Sequence, residues 1–230
     1  MRTIIFPILL GIAGCAVLVS LGIWQVQRLA WKTEILNEID ATITAPPVAL
    51  PANPTEADDK YRPVTVSGEL VGDPVFVLVT PDGLGPGYRY IQALETDSAT
   101  ILVDMGWVPL DQLGRQPMHV RYLDITGNLH WPDDKDDWTP EPDPSGIWFA
   151  RDVPDMSVAL KTDPIMVIAR TYDVTRLVSP LQSMPFVPLP LDTSVVKNDH
   201  LNYAITWFSL ALVWAMMSLF LITRIRAKDA

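Results

Sequence analysis

Cysteine is nearly absent from this sequence. Cys15 is the single one in 230 residues, which excludes an intramolecular disulfide framework, a cysteine-based zinc site and an iron–sulfur cluster. Histidine is almost as scarce: His119, His130 and His200 are the three, so metal chemistry is confined to few positions. Charged residues make up 19%, against about 25% in soluble domains. Basic charge is in deficit, and a net charge of −10 argues against a nucleic-acid partner, which needs a basic stripe. Enzyme signatures are missing too: there is no Walker loop, no GxSxG and no HExxH. The sequence therefore reads as a non-enzyme. What it has instead is apolar bulk, 49% hydrophobic with 8 Trp and 6 Phe, enough to bury a core and exclude intrinsic disorder.

That bulk is concentrated at the two ends. Thr3 to Val26 carries no charge, and neither does Leu201 to Thr223. Each run is long enough to cross a hydrocarbon layer of roughly 30 Å, which takes about 20 apolar residues. Ile12-Ala13-Gly14-Cys15 resembles a lipoprotein cleavage box, but the apolar run continues well past Cys15, longer than a signal-peptide core. An uncleaved anchor is expected. Arg224, Arg226 and Lys228 follow the second run. By the positive-inside rule they place both termini in the cytoplasm and the middle outside. Arg28 and Lys32 pull weakly the other way. Between Thr33 and Asp199 there are 26 acidic and 11 basic residues, suited to the outer face.

The middle reads as short strands. Arg62–Leu70, Pro74–Thr80, Tyr88–Leu94, Thr100–Val108, Val120–Leu129, Ile147–Ala150 and Ile165–Tyr172 are rich in β-branched and aromatic residues and are separated by turn residues. A bulge is expected at Gly127, and one or two helical turns over Asp155–Leu160. Val64, Val66, Val77, Val79, Ile101, Val103, Ile165, Val167 and Ala169 should face the core, and Trp107 should be buried. The fold class is a membrane protein whose two transmembrane helices flank a mainly antiparallel β outer domain, a barrel or sandwich of α+β type. The division is a transmembrane helix over 1–28 continuing as helix to about 39, a proline-rich linker over 40–60, a β-rich domain over 61–175, a proline-rich connection over 176–199, a second transmembrane helix over 200–223 and a basic tail over 224–230.

Two constellations could carry chemistry. Asp133, Asp134, Asp136 and Asp137 lie in an acidic loop that lacks the glycine and glutamate of an EF-hand; a solvated loop is the simpler reading. The second begins at His200, at the mouth of the second apolar run. At helical spacing it heads Tyr203, Ala204, Trp207, Ala211 and Trp214. Flat aromatic and small side chains suit a planar apolar ligand, and neutral imidazole is an iron ligand. Interfacial aromatics and a wet boundary histidine explain the same residues. The first run offers Gly11, Cys15, Leu18, Gly22 and Gln25 on one face, where small residues let a partner helix approach. Its outer end carries Trp24, Gln25, Arg28, Trp31 and Lys32. The cations there could hold carboxylates of an amphipathic ligand, or simply snorkel to the interface.

Leu21-Gly22-Ile23-Trp24-Gln25-Val26-Gln27-Arg28-Leu29 with Trp31-Lys32, and Asn198-Asp199-His200-Leu201-Asn202-Tyr203-Ala204-Ile205-Thr206-Trp207-Phe208-Ser209-Leu210-Ala211, resemble the two end motifs of the Surfeit locus protein 1 family (Shy-type in fungi) of cytochrome c oxidase assembly factors. Arg62-Pro63-Val64, Gly68, Gly87-Tyr88 and Val103-Asp104-Met105-Gly106-Trp107-Val108-Pro109 match in order between them. Met105 stands where the family usually has Arg, and Asp199 where Asn is commoner. The resemblance implies a haem a-binding protein of the bacterial inner membrane, with a periplasmic central domain, that helps load haem into the catalytic subunit of a haem-copper oxidase. It implies His200 as the iron ligand; Tyr203, Trp207, Trp24 and Arg28, taken from the helix faces and the outer end of the first run, are the residues expected around the cofactor. Membrane lipid and the oxidase catalytic subunit are the implied partners, with haem a synthase a further candidate. A scaffold that stabilises that subunit and binds no haem is the alternative.

Overall fold

The computed structural model describes residues 2–112, 120–177, 186–193 and 196–229. His119 and much of the proline-rich 176–199 connection lie outside them. The chain forms two compact units, Met1–Glu38 with Thr193–Ala230, and Ile39–Asp192.

The first unit is built from two long helices, α1 (Arg2–Ile43) and α4 (His200–Asp229). Both hold segments long and apolar enough to cross a membrane, Ile4–Ile43 and His200–Ala227. Both also run past the apolar stretches. Nothing in Ile39-Asp40-Ala41-Thr42-Ile43 breaks a helix, and α1 stops only ahead of Ala45-Pro46-Pro47, where the residue before proline is pushed out of the helical region. Its last turn belongs to the second unit. There Asn128 Nδ2 donates to the Ile43 carbonyl at 3.0 Å and Arg170 Nη1 does so at 3.1 Å, satisfying a carbonyl that the helix end leaves orphaned.

The second unit is a closed β-barrel. After β1 (Val48–Ala49) and the short α2 (Glu56–Asp59) come β2 (Pro63–Val79), β3 (Gly87–Glu95), β4 (Thr100–Pro109), β5 (Val120–Leu129), β6 (Ile147–Trp148), α3 (Val153–Leu160) and β7 (Met166–Leu177). Strand β2 is used twice. Its first part pairs antiparallel with β5, Pro63 opposite Asn128. Its second part pairs antiparallel with β3, Val79 opposite Gly87. β3 pairs antiparallel with β4, β4 parallel with β7, and β7 antiparallel with β5. The order β2-β3-β4-β7-β5 therefore returns to β2. The two strands expected at 62–70 and 74–80 are one strand. A register shift between Val71 and Val75, with Gly72 at φ +69°, bends it so that it passes from one partner to the next. The expected irregularity at Gly127 is present as a register shift between Thr126 and Gly127.

Two apolar clusters follow. Val64, Val66, Leu70, Ile101, Val103, Met105, Leu123, Ile125, Val167 and Ala169 fill one, together with the aromatics Phe76, Tyr88, Tyr90 and Phe186. In the other, Val153 and Met156 of α3 cover Val75, Val77, Ile91, Leu102 and Met166. Val77 is thus buried on the face opposite to Val64 and Val66. Val79 and Ile165 are half-buried.

Trp107 is also half-buried, against the expectation that it is core. The cause is a bulge. Arg89 pairs with Trp107 but Ile91 with Asp104, so one extra residue sits in β4. Ile101, Val103 and Met105 keep one phase and Val108 the other. Gly106 absorbs the offset at φ +102°, and a Cβ there would meet the Val187 carbonyl oxygen at 2.2 Å. Trp107 then pairs its backbone with Val187. Its ring lies against Gly87, where an added Cβ would fall 2.2 Å from Nε1.

The barrel holds a titratable group in its neutral form. His130 stacks on Tyr61 with ring centroids 5.4 Å apart, and its Nδ1 is buried without a hydrogen bond among the described residues. Burial, then the nearby Arg151 and Lys60 charges, lower its pKa to about 4. The unfolded chain binds a proton below about 6.5 and the folded one does not. Stability is therefore full above pH 6.5 and falls as pH drops towards 4, by at most about 3 kcal/mol. His130→Gln should flatten this slope in urea unfolding at pH 7 against pH 4.5; an unchanged slope would assign the acid sensitivity elsewhere.

Candidate functional site

The helix pair of the first unit meets along small residues. Gly11, Gly22 and Gln25 on α1 are buried, with Cys15 and Leu18 half-buried between them. On α4 the facing positions are Ala204 and Ala211, 2% and 7% exposed. A Cβ on Gly22 would lie 2.7 Å from the Phe208 ring, and one on Gly14 would lie 2.2 Å from Trp214 Nε1. Close approach therefore requires glycine at both positions. Cys15 Sγ points at the Ala211 carbonyl, 3.9 Å away.

This contact brings one polar pair together. Gln25 Oε1 lies 2.7 Å from His200 Nδ1. Gln25 is 8% exposed, a buried amide on an otherwise apolar face, and a polar group there needs a partner. An amide oxygen only accepts, so in this contact Nδ1–H is the donor, and in the neutral ring the lone pair lies on Nε2. Nε2 has no hydrogen bond among the described residues. Further out, Lys32 Nζ donates to the Lys197 carbonyl, tying down the turn that leads into His200.

The other sequence-derived candidates are distributed around this pair. Trp207 is half-buried. Tyr203 and Trp24 are turned outwards, 55% and 50% exposed; the face drawn through positions 200, 203 and 207 is thus split, because the tightest contact follows Ala204 and Ala211. The Arg28 guanidinium lies over the Trp31 ring, 4.3 Å from its centroid, a cation–π contact. The sequence places Gln25 on the small-residue face, at the outer end of the first apolar run and within the first end motif, but gives it no partner. The signal available for it was an amide on the small-residue stripe, one turn beyond Gly22.

The donor set discriminates between possible metals. Among the described residues no three His, Cys, Asp or Glu side chains cluster to hold a bare ion. His200 alone offers one imidazole. One imidazole alone is too few donors for a bare ion and is the donor set of a metal that brings its other ligands with it. The acidic loop behaves as structure. Asp134 pairs with Arg151 Nε at 2.6 Å. Asp136 accepts from Thr139 and the Trp138 amide, and these bonds lower its pKa.

Comparison with known proteins gives one consistent result. The model of the SURF1 family matches residues 12–212. The chain is 29% identical over 217 residues to Surfeit locus protein 1 of Homo sapiens, covering 84% of this chain and 69% of that protein. It is 28% identical over 215 residues to the Rattus norvegicus protein of the same name, covering 83% and 67%. To the SURF1-like protein of Drosophila melanogaster it is 29% identical over 221 residues, covering 84% and 69%. The matched residues run from within α1, through the barrel, into α4, and the chain belongs to the SURF1 family.

Proposed function

We propose that this protein binds haem a and helps insert it into the catalytic subunit of a haem-copper terminal oxidase. The observation that carries the reading is the His200–Gln25 pair, in which Gln25 engages Nδ1 and leaves Nε2 as the ring nitrogen available to a ligand, on a pair of long apolar helices. Family membership supports the oxidase as destination, through the resemblance of both end motifs to oxidase assembly factors. Haem would supply the iron; His200 would ligate it, and the surrounding side chains would orient and shield it. Haem a is too apolar to diffuse through water, and a single axial imidazole holds it less firmly than a bis-ligated site would. That suits a carrier, and no turnover is expected.

In this reading the protein sits in a bacterial inner membrane with both termini cytoplasmic and the barrel periplasmic. The basic tail Arg224-Ile225-Arg226 and the acidic middle support that orientation. An alkaline-phosphatase fusion after Ala150 should be active and one after Ala230 inactive; the reverse would overturn it.

The direct test is the absorption spectrum of protein purified from cells that make haem a. A haem spectrum at close to one haem per chain supports the reading, and a colourless protein overturns it in favour of a scaffold for the oxidase subunit. One observation favours that scaffold: Arg28 and Lys32 already have partners in Trp31 and the Lys197 carbonyl, so neither cation stands open for a propionate.

A further inference from the structure

We propose that Gln25 is a positioning residue for His200, holding the imidazole in the Nδ1–H tautomer and in a fixed ring plane so that Nε2 is the atom presented to a ligand. The proposal rests on the haem-binding reading for its purpose. Its first observable does not.

Three features of the helix pair lead to it. Gln25 is the polar side chain on the inward face of α1, beyond Gly11, Cys15, Leu18 and Gly22, and it is 8% exposed. An amide buried on such a face is costly unless it is bonded, and its oxygen is bonded to a side chain 175 residues away in sequence, at 2.7 Å. The contact needs the helices to be close at that level. Gly22, one turn before Gln25, provides this, since even a methyl there would strike the Phe208 ring. The segment before His200 is fastened separately by Lys32 on the Lys197 carbonyl. Backbone and ring are thus set by two α1 residues seven positions apart. An imidazole whose second nitrogen is engaged by a fixed acceptor has its tautomer chosen and its basicity as a ligand raised. Without Gln25 the ring can rotate about its side-chain bonds and exchange its proton between both nitrogens.

The experiment uses the full-length protein in detergent, with 15N-labelled histidine. Long-range proton–nitrogen correlation spectra of the haem-free protein report which ring nitrogen of His200 carries hydrogen; the signal is assigned by its loss in His200→Ala. The wild type should show Nδ1–H. Gln25→Leu should lose that preference, and titration with haem a should show affinity weakened by roughly 10- to 100-fold, the usual cost of removing a ligand's supporting group. Gln25→Glu has nearly the same shape and keeps an acceptor. It should retain the tautomer, retain haem, and lower the midpoint potential of the bound haem, because a carboxylate draws the Nδ1 proton more strongly. A residue that merely fills space would not produce that shift. The proposal is overturned if Gln25→Leu keeps both the wild-type tautomer and wild-type haem affinity, or if Gln25→Glu behaves like Gln25→Leu. A wild-type protein that takes up no haem overturns the haem reading alone; a tautomer difference between wild type and Gln25→Leu would still uphold the lock.

Discussion

His200→Ala should strip the purified protein of most of its haem a while both helices still insert. No other histidine lies in either helix, and His130 is committed to the barrel, stacked on Tyr61. The loss should reach tenfold or more per chain, equivalent to about 1.4 kcal/mol or more of binding. Arg28→Ala should be milder. Its guanidinium stacks on Trp31, and any propionate contact at a wet boundary is screened. Tyr203→Phe and Trp207→Ala should fall between, because they shape a surface and supply no ligand atom. The measurement is haem a per polypeptide in equal amounts of membrane-inserted protein. Wild-type haem content in His200→Ala would remove His200 as the ligand and leave the scaffold as the better account.

The largest loss of stability should come from Asp104→Ala. Asp104 is fully buried in β4. Arg89 Nη1 lies 2.6 Å from its Oδ2, and Arg151 Nη1 lies 3.8 Å away. Its other oxygen accepts from the Gly106 amide at 2.9 Å. One carboxylate therefore satisfies a guanidinium that is 16% exposed and pins the bulge on which Trp107 turns. Removing it leaves a nearly buried positive charge unpaired, which costs about 3–5 kcal/mol. For a domain of this size that is on the order of 10 °C in Tm. Thermal unfolding followed by tryptophan fluorescence reads it directly. Replacing both partners, as in Asp104→Leu with Arg89→Met, should recover part of the loss, since a buried ion pair contributes little beyond its apolar equivalent. A single variant that melts within about 1 °C of wild type would show that the pair is not what holds the bulge.

The sequence revealed the helices and most strands because their signals are local. Uncharged runs marked α1 and α4, and β5 over Val120–Leu129 was read to its boundaries. What it hid was long-range. Nothing local in Pro63–Val79 says that one strand serves two partners, so the bend at Val71 and Val75 looked like a gap between two strands. Trp107 closes an apolar strand, which is why burial is expected of it; the bulge at Met105-Gly106 is a tertiary feature that turns its ring off the core. Met105 is fully buried with the barrel aromatics. At the candidate site His200 stood out as the one histidine in an apolar helix. Gln25 did not, because its meaning depends on a residue 175 positions later.

The position of β7 gives the barrel an order of completion. It is the last strand among the described residues, yet it sits between β4 and β5, so what is made before Met166 is a sheet with an opening down one side. Until Met166–Leu177 is in place, β4 and β5 each present an unpaired row of amides and carbonyls, the kind of edge on which chains stick to one another. A chain cut short between Trp148 and Met166 would keep its first apolar helix and every strand but β7 among the described ones. It would nevertheless be an open sheet tethered at a membrane surface, prone to self-association and to proteolysis, rather than a smaller working version of the same protein.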